Sequence, residues 1–219
     1  MIPKIIHYCW FGRKPKPEKV IEYINTWKEH CPDYEIIEWN EDNFDVNQMP
    51  FTREAYKTRK FAFVSDVCRL FALMKFGGIY MDTDVRVLKS FDDYINYKSF
   101  IGKEFPFKVS TAVIGSERDC KWLKLFYESY NNKHFITKYG FLNKKENTAI
   151  LTQLLNRIYP DYVRELEIFD IDVFCGKLYV KKEYMITERT VTVHEFAGTW
   201  INSSPNFIER IKNILKRVF

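Results

Sequence analysis

The sequence predicts an α/β fold with a mostly parallel central sheet flanked by helices. Three observations carry that prediction: strand and helix patterns alternate along the chain, one helix is apolar almost all round, and that helix passes through two glycines straight into a buried strand. Strand patterns fall at about 2–8, 34–39, 78–82, 98–103, 110–114, 166–171 and 190–194. Helix patterns fall between them at about 17–30, 53–58, 61–75, 119–130, 146–158 and 206–218. After the first strand, Pro15-Lys16-Pro17 forms a loop into a helix, with Pro17 suited to its first turn. The run 61–74, Phe-Ala-Phe-Val-Ser-Asp-Val-Cys-Arg-Leu-Phe-Ala-Leu-Met between Lys60 and Lys75, is a helix buried on most faces. Phe76-Gly77-Gly78 closes it and opens the strand Ile79-Tyr80-Met81. The polar stretch 133–147, containing Gly140, is the candidate for a mobile acceptor loop. No repeat, low-complexity tract or linker interrupts the chain, so residues 1–219 are expected to form one domain.

Chemistry concentrates where the buried strand ends. Asp82 and Asp84 lie two residues apart in Met81-Asp82-Thr83-Asp84; on an extended segment they face the same side and converge on one cation. Hard oxygen ligands suit Mg²⁺ or Mn²⁺, either of which keeps positions open for a diphosphate. The plainer alternative is that two aspartates end a strand and begin a turn. Asp66 and Arg69 are the charges of the apolar helix, three residues apart on one face. Such groups must be paired in a buried salt bridge or put to use. In an open α/β sheet a nucleotide belongs at the carboxyl ends of the strands, where Trp10, Asp82 and Asp84 fall. Trp10 offers a flat face for stacking a base, or packs in the core. His194 follows the alternating Thr190-Val191-Thr192-Val193, where a histidine is more often structural than a ligand.

These segments together resemble glycosyltransferase family 32. The resemblance rests on Ile2-Pro3-Lys4-Ile5-Ile6-His7-Tyr8-Cys9-Trp10-Phe11-Gly12, then Ala62-Phe63-Val64-Ser65-Asp66-Val67-Cys68-Arg69, then Gly77-Gly78-Ile79-Tyr80-Met81-Asp82-Thr83-Asp84. It covers roughly residues 1–90, with one further match at Val193-His194-Glu195-Phe196-Ala197-Gly198-Thr199-Trp200. That family includes bacterial capsular-polysaccharide and lipopolysaccharide enzymes and yeast mannosyltransferases. It implies a GT-A fold and a retaining, metal-dependent transfer of sugar from a nucleoside diphosphate sugar, with a UDP-sugar first and GDP-mannose next, to a glycan hydroxyl in bacterial surface polysaccharide synthesis. It implies catalytic roles for Asp66, Arg69 and Asp82. Donor contacts are implied for Trp10, Ser65, Asp66, Arg69, Tyr80, Asp82, Thr83, Thr199 and Trp200. The implied metal ligands for Mn²⁺ or Mg²⁺ are Asp84, His194 and Asp82. Thr199 replaces the family's usual Ser while keeping the hydroxyl, and Ser110-Thr111-Ala112 lacks the Asn that many relatives carry before Ala.

Composition frames these expectations. The 219 residues are 46% apolar and 17% aromatic, which excludes a disordered chain and leaves aromatics for the core and for sugar platforms. Five dispersed cysteines without a Cys-x-x-Cys pair suit a reducing compartment better than a disulfide framework or zinc site. With no signal-peptide pattern and no membrane-spanning run, a cytoplasmic protein is expected, in reach of the inner membrane face. The tail places Phe207, Ile208, Ile211, Ile214, Leu215 and Val218 opposite Arg210, Lys212, Lys216 and Arg217. Such a basic amphipathic helix either lies on an anionic membrane beside a lipid-linked acceptor or packs on its own domain. The net charge of +5 is too mild to decide between these, and no nucleic acid partner is expected. Two other classes stand beside the enzyme. A haloacid dehalogenase-type phosphotransferase also uses Asp-x-Asp, with the first Asp as nucleophile, but has Thr or Val where Arg86 stands. A non-catalytic basic surface-binding protein would leave the aspartates idle. An EF-hand is disfavoured by Arg86 and Val87.

Overall fold

The computed structural model describes residues 1–157, 164–178 and 183–198. Thr199, Trp200 and the predicted helix at 206–218 lie outside the described residues. In chain order the strands are β1 (Ile5–Cys9), β2 (Glu35–Trp39), β3 (Gly78–Met81), β4 (Val85–Val87), β5 (Ser99–Phe105), β6 (Lys108–Ser116), β7 (Leu166–Phe169) and β8 (Thr192–His194). The helices are α1 (Glu18–His30), α2 (Pro50–Lys57), α3 (Phe61–Phe76), α4 (Lys121–Glu128), α5 (Asn147–Leu155) and the single turn α6 (Ile171–Phe174).

Six strands form one sheet in the order β2-β1-β3-β6-β5-β7. β1 is parallel to β2 and β3, and β5 to β7. β6 is antiparallel to both its neighbours, because it returns from β5 through the tight turn at Pro106 and Phe107. The sheet is therefore mixed and mostly parallel, and the predicted strands at 98–103 and 110–114 are the arms of one hairpin. The predicted strand at 166–171 stops at Phe169, since Asp170 takes the N-cap position of α6. The predicted strand at 190–194 does not join this sheet. It supplies β8, which pairs antiparallel with β4 in a separate two-stranded ribbon. α2 starts at Pro50, ahead of its predicted start, with proline at a position where its missing N–H does no harm.

Alternation along the strands divides the core between the two faces. Ile6, Tyr8, Ile79 and Met81 pack with Trp27 of α1 and Val85 and Val87 of β4. Cys9 and Tyr80 point the other way, against Val64, Val67 and Leu70 of α3 and the α4 side chains Trp122 and Phe126. α3 can drop directly into β3 because of its glycines. Gly77 closes the helix at φ +67, its N–H bonded to the Leu73 carbonyl at 2.8 Å. Gly78 sits at φ +102, where a Cβ would lie 2.6 Å from the Ile5 carbonyl oxygen.

His7 links the same corner. It is fully buried, its Nδ1 accepting from the Trp39 indole at 3.1 Å and its Nε2 donating to the Gly77 carbonyl at 2.8 Å. Burial pulls its pKa from 6.5 down to about 4, with the Gly77 bond opposing, so the folded ring is neutral. The unfolded chain takes up a proton below pH 6.5 that the folded chain refuses until about pH 4. Stability from this residue is thus intact above the unfolded pKa and declines as pH falls. We predict a loss of about 2.5 kcal/mol between about pH 7.5 and about pH 4.5 that is missing from His7→Asn. Urea titrations of both proteins at the two pH values measure it, and parallel pH profiles would contradict it.

Candidate functional site

β1 and β3 lie side by side and parallel, so Trp10, which follows β1, and Asp82, which follows β3, emerge at one edge of the sheet. β3 ends at Met81, and Asp82 to Val85 form a turn closed by the Val85 amide on the Asp82 carbonyl at 3.0 Å. The two aspartates are therefore brought together by a turn rather than by strand alternation, which corrects the sequence-based geometry while keeping their convergence. β4 leaves the turn under α1, where the Trp27 indole donates to the Val85 carbonyl at 2.7 Å and the Val87 amide donates to the Thr26 hydroxyl at 3.0 Å. Its pairing with β8 sets Val85 opposite His194.

That register delivers the third member of the cluster. His194 Nε2 lies 3.3 Å from Asp84 Oδ1, while Asp84 Oδ2 accepts the Ala197 amide at 2.9 Å. One ligating atom from each of Asp82, Asp84 and His194 lies within 4.8 Å of the others. These three groups could hold one ion between them. Two carboxylates and an imidazole form a donor set suited to Mn²⁺ or Mg²⁺, with positions left for phosphate oxygens. Among the protein groups alone, burial disfavours charge on His194, but Asp84, then Cys175 and Asp82, outweigh it and lift its pKa to about 10. Burial likewise opposes charge on Asp84, yet the His194 contact and the Ala197 amide hold its carboxyl below the usual range. The Nδ1 of His194 is buried without a hydrogen bond among the described residues.

Arg69 ties this seat to α3. Its side chain is 5% exposed, and its fork donates to the Ser65 carbonyl at 3.3 Å, the Thr111 carbonyl at 2.6 Å and Asp66 Oδ1 at 2.9 Å, with Asp82 Oδ1 3.3 Å away. The guanidinium also lies 4.5 Å from the centre of the Tyr80 ring, and the Tyr80 hydroxyl donates to Asp82 Oδ1 at 2.8 Å. The sequence placed Tyr80 on the donor, but it is 1% exposed and reaches the site through Asp82. Ser65 is half-buried and its hydroxyl donates to the Phe61 carbonyl within the helix, at 3.2 Å. Thr83 is half-buried in the turn between the aspartates. Burial drives the Asp66 pKa up to about 6 against the pull of Arg69 and Asn147. Burial also raises Asp82, with Arg69 opposing and Asp84 adding to the rise.

Asn147 was missed by the sequence. Its amide donates to Asp66 Oδ1 at 3.0 Å from the first turn of α5, and its own Oδ1 is buried without a partner among the described residues. A lone Asn after a polar loop carries no pattern that could have revealed it. The stretch 133–147 is folded back on itself by a bridge between Ile136 and Leu142, and the Ile136 amide donates to Glu54 of α2 at 2.9 Å. Tyr139 and Phe141 stand out from it, 74% and 72% exposed. Trp10 is half-buried, its indole donating to the Lys14 carbonyl at 2.7 Å, and it lines an open cleft of about 290 Å³ with Arg13, Lys16, Glu38 and Asn40.

The mixed, mostly parallel sheet with an Asp-x-Asp turn at the carboxyl ends of its parallel strands has the GT-A arrangement, and comparison with known proteins agrees. Residues 17–101 match the family described as "Glycosyltransferase sugar-binding region containing DXD motif". Residues 17–101 are thus similar to the sugar-binding region of glycosyltransferases that carry a DXD motif. Inositol phosphoceramide mannosyltransferase 2 of Schizosaccharomyces pombe is 32% identical over 219 residues, covering 95% of this chain and 61% of that protein. Inositol phosphoceramide mannosyltransferase 3 of the same yeast is 31% identical over 118 residues, covering 52% of this chain and 33% of that protein. This chain therefore spans only part of the length of these relatives. Among solved structures, one titled "PaToxG Glycosyltransferase" shares the fold at a TM-score of 0.53 and 21% identity, over 71% of this chain and 68% of that one.

The ion-pair geometry gives two substitutions opposite signs. Arg69→Met strands Asp66 and Asp82 without their cation and should cost about 3–5 kcal/mol. Asp66 has a folded pKa above its unfolded 3.8, so the stabilisation it gives is lost as pH rises through about 6. Asp66→Asn should therefore stabilise the ligand-free protein at neutral pH, by up to about 3 kcal/mol. Equilibrium unfolding at about pH 7.5 checks both, and a destabilised Asp66→Asn would contradict the burial argument.

Proposed function

We propose that this protein is a metal-dependent, retaining hexosyltransferase that takes a sugar from a nucleoside diphosphate sugar. The single observation that carries the proposal is the meeting of Asp82, Asp84 and His194 beside the Arg69 clamp. Asp84 and His194, with Asp82, would hold Mn²⁺ or Mg²⁺; the chemistry such an ion supplies is neutralisation of charge on the departing diphosphate. Trp10 and its cleft would receive the base. Asp66, fixed by Arg69 and Asn147, would accept from sugar hydroxyls, and the unpartnered Asn147 Oδ1 would take another. Donor contacts from Thr199 and Trp200, which lie outside the described residues, rest on the family resemblance alone.

Retention is supported by the state of the carboxylates. Asp66 and Asp82 are tied to Arg69, and Asp84 to His194, so none is held as a free general base. The acceptor oxygen would then attack the anomeric carbon on the face the diphosphate leaves. The bond from that carbon to the diphosphate oxygen breaks with its electron pair, and the departing oxygen takes the acceptor's proton. The same ties disfavour a phosphotransferase, since Asp82, its would-be nucleophile, accepts from buried Tyr80 and faces Arg69.

The names of the curated relatives, mannosyltransferases of inositol phosphoceramide, favour a mannosyl donor and a lipid-linked hydroxyl acceptor, and so weigh toward GDP-mannose against a UDP-sugar. Tyr139 and Phe141 would meet the acceptor's sugar face. Among the described residues no helix is long and apolar enough to cross a membrane, and we place the work at the cytoplasmic membrane face on the strength of the dispersed cysteines and the basic tail. The expected result of a thermal-shift screen of UDP- and GDP-sugars is that one nucleotide class, with Mn²⁺, stabilises the wild type by about 2.7 kcal/mol at about 100 times its Kd. Asp84→Ala should lose the metal-dependent part. Equal shifts in the two proteins would remove Asp84 from the site.

A further inference from the structure

A second cleft, of about 250 Å³, opens between α5, the end of α4 and the start of α2. Its polar lining is Ser129, Lys133, Asn143, Lys145, Gln153 and Arg157, with no carboxylate among them. The contrast with the Trp10 cleft decides its character, because there Arg13, Lys14 and Lys16 are balanced by Glu38, Glu41 and Asp42. Here the cations meet only neutral groups among the described residues. Lys133 Nζ donates to the Ser129 hydroxyl at 3.3 Å and lies 4.6 Å from the Tyr130 ring centre, while Lys145 Nζ donates to Gln153 Oε1 at 2.7 Å.

We propose that this cleft binds a phosphate group, at a site separate from the Asp82, Asp84 and His194 seat. Three cations that line one cleft without an acidic partner among the described residues form a standing field that an anion relieves. A phosphate would accept from the ammonium groups of Lys133 and Lys145 and from the Arg157 fork, whose planar donors match two of its oxygens. The amide N–H groups of Asn143 and Gln153 are further donors, since the carbonyl oxygens of those side chains already accept from Lys145. Lys133 shows the strain of the arrangement: burial, then the like charge of Lys145, holds its pKa below the usual lysine value. The site does not depend on glycosyl transfer, and its ligand is either a soluble phosphate ester or a lipid headgroup phosphate.

The test uses wild type, Asp84→Ala and the double variant Lys145→Gln/Arg157→Gln, whose two positions are exposed. In one arm, inorganic phosphate and glycerol 3-phosphate are titrated by calorimetry at fixed ionic strength without divalent metal. In the other, sedimentation with phosphatidylcholine vesicles carrying phosphatidic acid is measured. The double variant should bind at least about tenfold more weakly, while Asp84→Ala binds like the wild type. Weakening in the solution arm supports a soluble ester, and weakening on vesicles alone supports a lipid headgroup. Binding unchanged by the double variant in both arms, including vesicle capture driven by the basic tail, overturns the site. So does absence of wild-type binding in both arms, or an equal loss in Asp84→Ala.

Discussion

The site is organised by one buried cation. The Arg69 guanidinium reaches from α3 to Asp66 on its own helix, to Asp82 in the turn after β3 and to the Thr111 carbonyl of β6. Three elements that approach one sheet edge from different parts of the chain are thereby locked at a common point. A buried ion pair is weak evidence of stability, because removing charges from water offsets their attraction. Burial accordingly raises the carboxyls of both Asp66 and Asp82 despite Arg69. What the arrangement secures is position: Asp82 is gripped by Arg69 and Tyr80, so it presents one geometry to whatever lies beyond it.

The opposite side of the seat is built by long-range pairing. The ribbon of β4 and β8 is short, yet it carries His194 to Asp84 and is held from beneath by Trp27 and Thr26. Glu195, the next residue, pins it further through Lys177 at 2.6 Å and Tyr184 at 2.9 Å. A turn and a ribbon on one side and a clamped helix on the other thus bring Asp82, Asp84 and His194 within reach of one another.

Much of this was legible in the sequence where the cause is local. The apolar run of α3, its two glycines and the carboxylates after β3 are contiguous, and Asp66 with Arg69 is a spacing of one helical turn. Of the two interpretations of that pair, the structure shows the salt bridge. Where the cause is distant, the pattern failed. Val85-Arg86-Val87 is too short to announce a strand, and its partner lies across the length of the chain. The turn at Asp82 to Val85 looked like a continuing strand, because period-two spacing does not distinguish the two. Tyr80 was legible as a site residue but not as one acting through Asp82. Asn147 and the cations of the second cleft depend on how α5 packs, which no local periodicity records.

The most direct measurement is a crystal of the protein grown with Mn²⁺ and a nucleoside diphosphate, with the metal located by its anomalous scattering. A peak bonded to Asp84 and His194, with the Asp82 carboxylate still against Arg69, is the expected result. Manganese bound elsewhere, or Arg69 swung away from Asp82 in the complex, would contradict the clamp as the basis of the site.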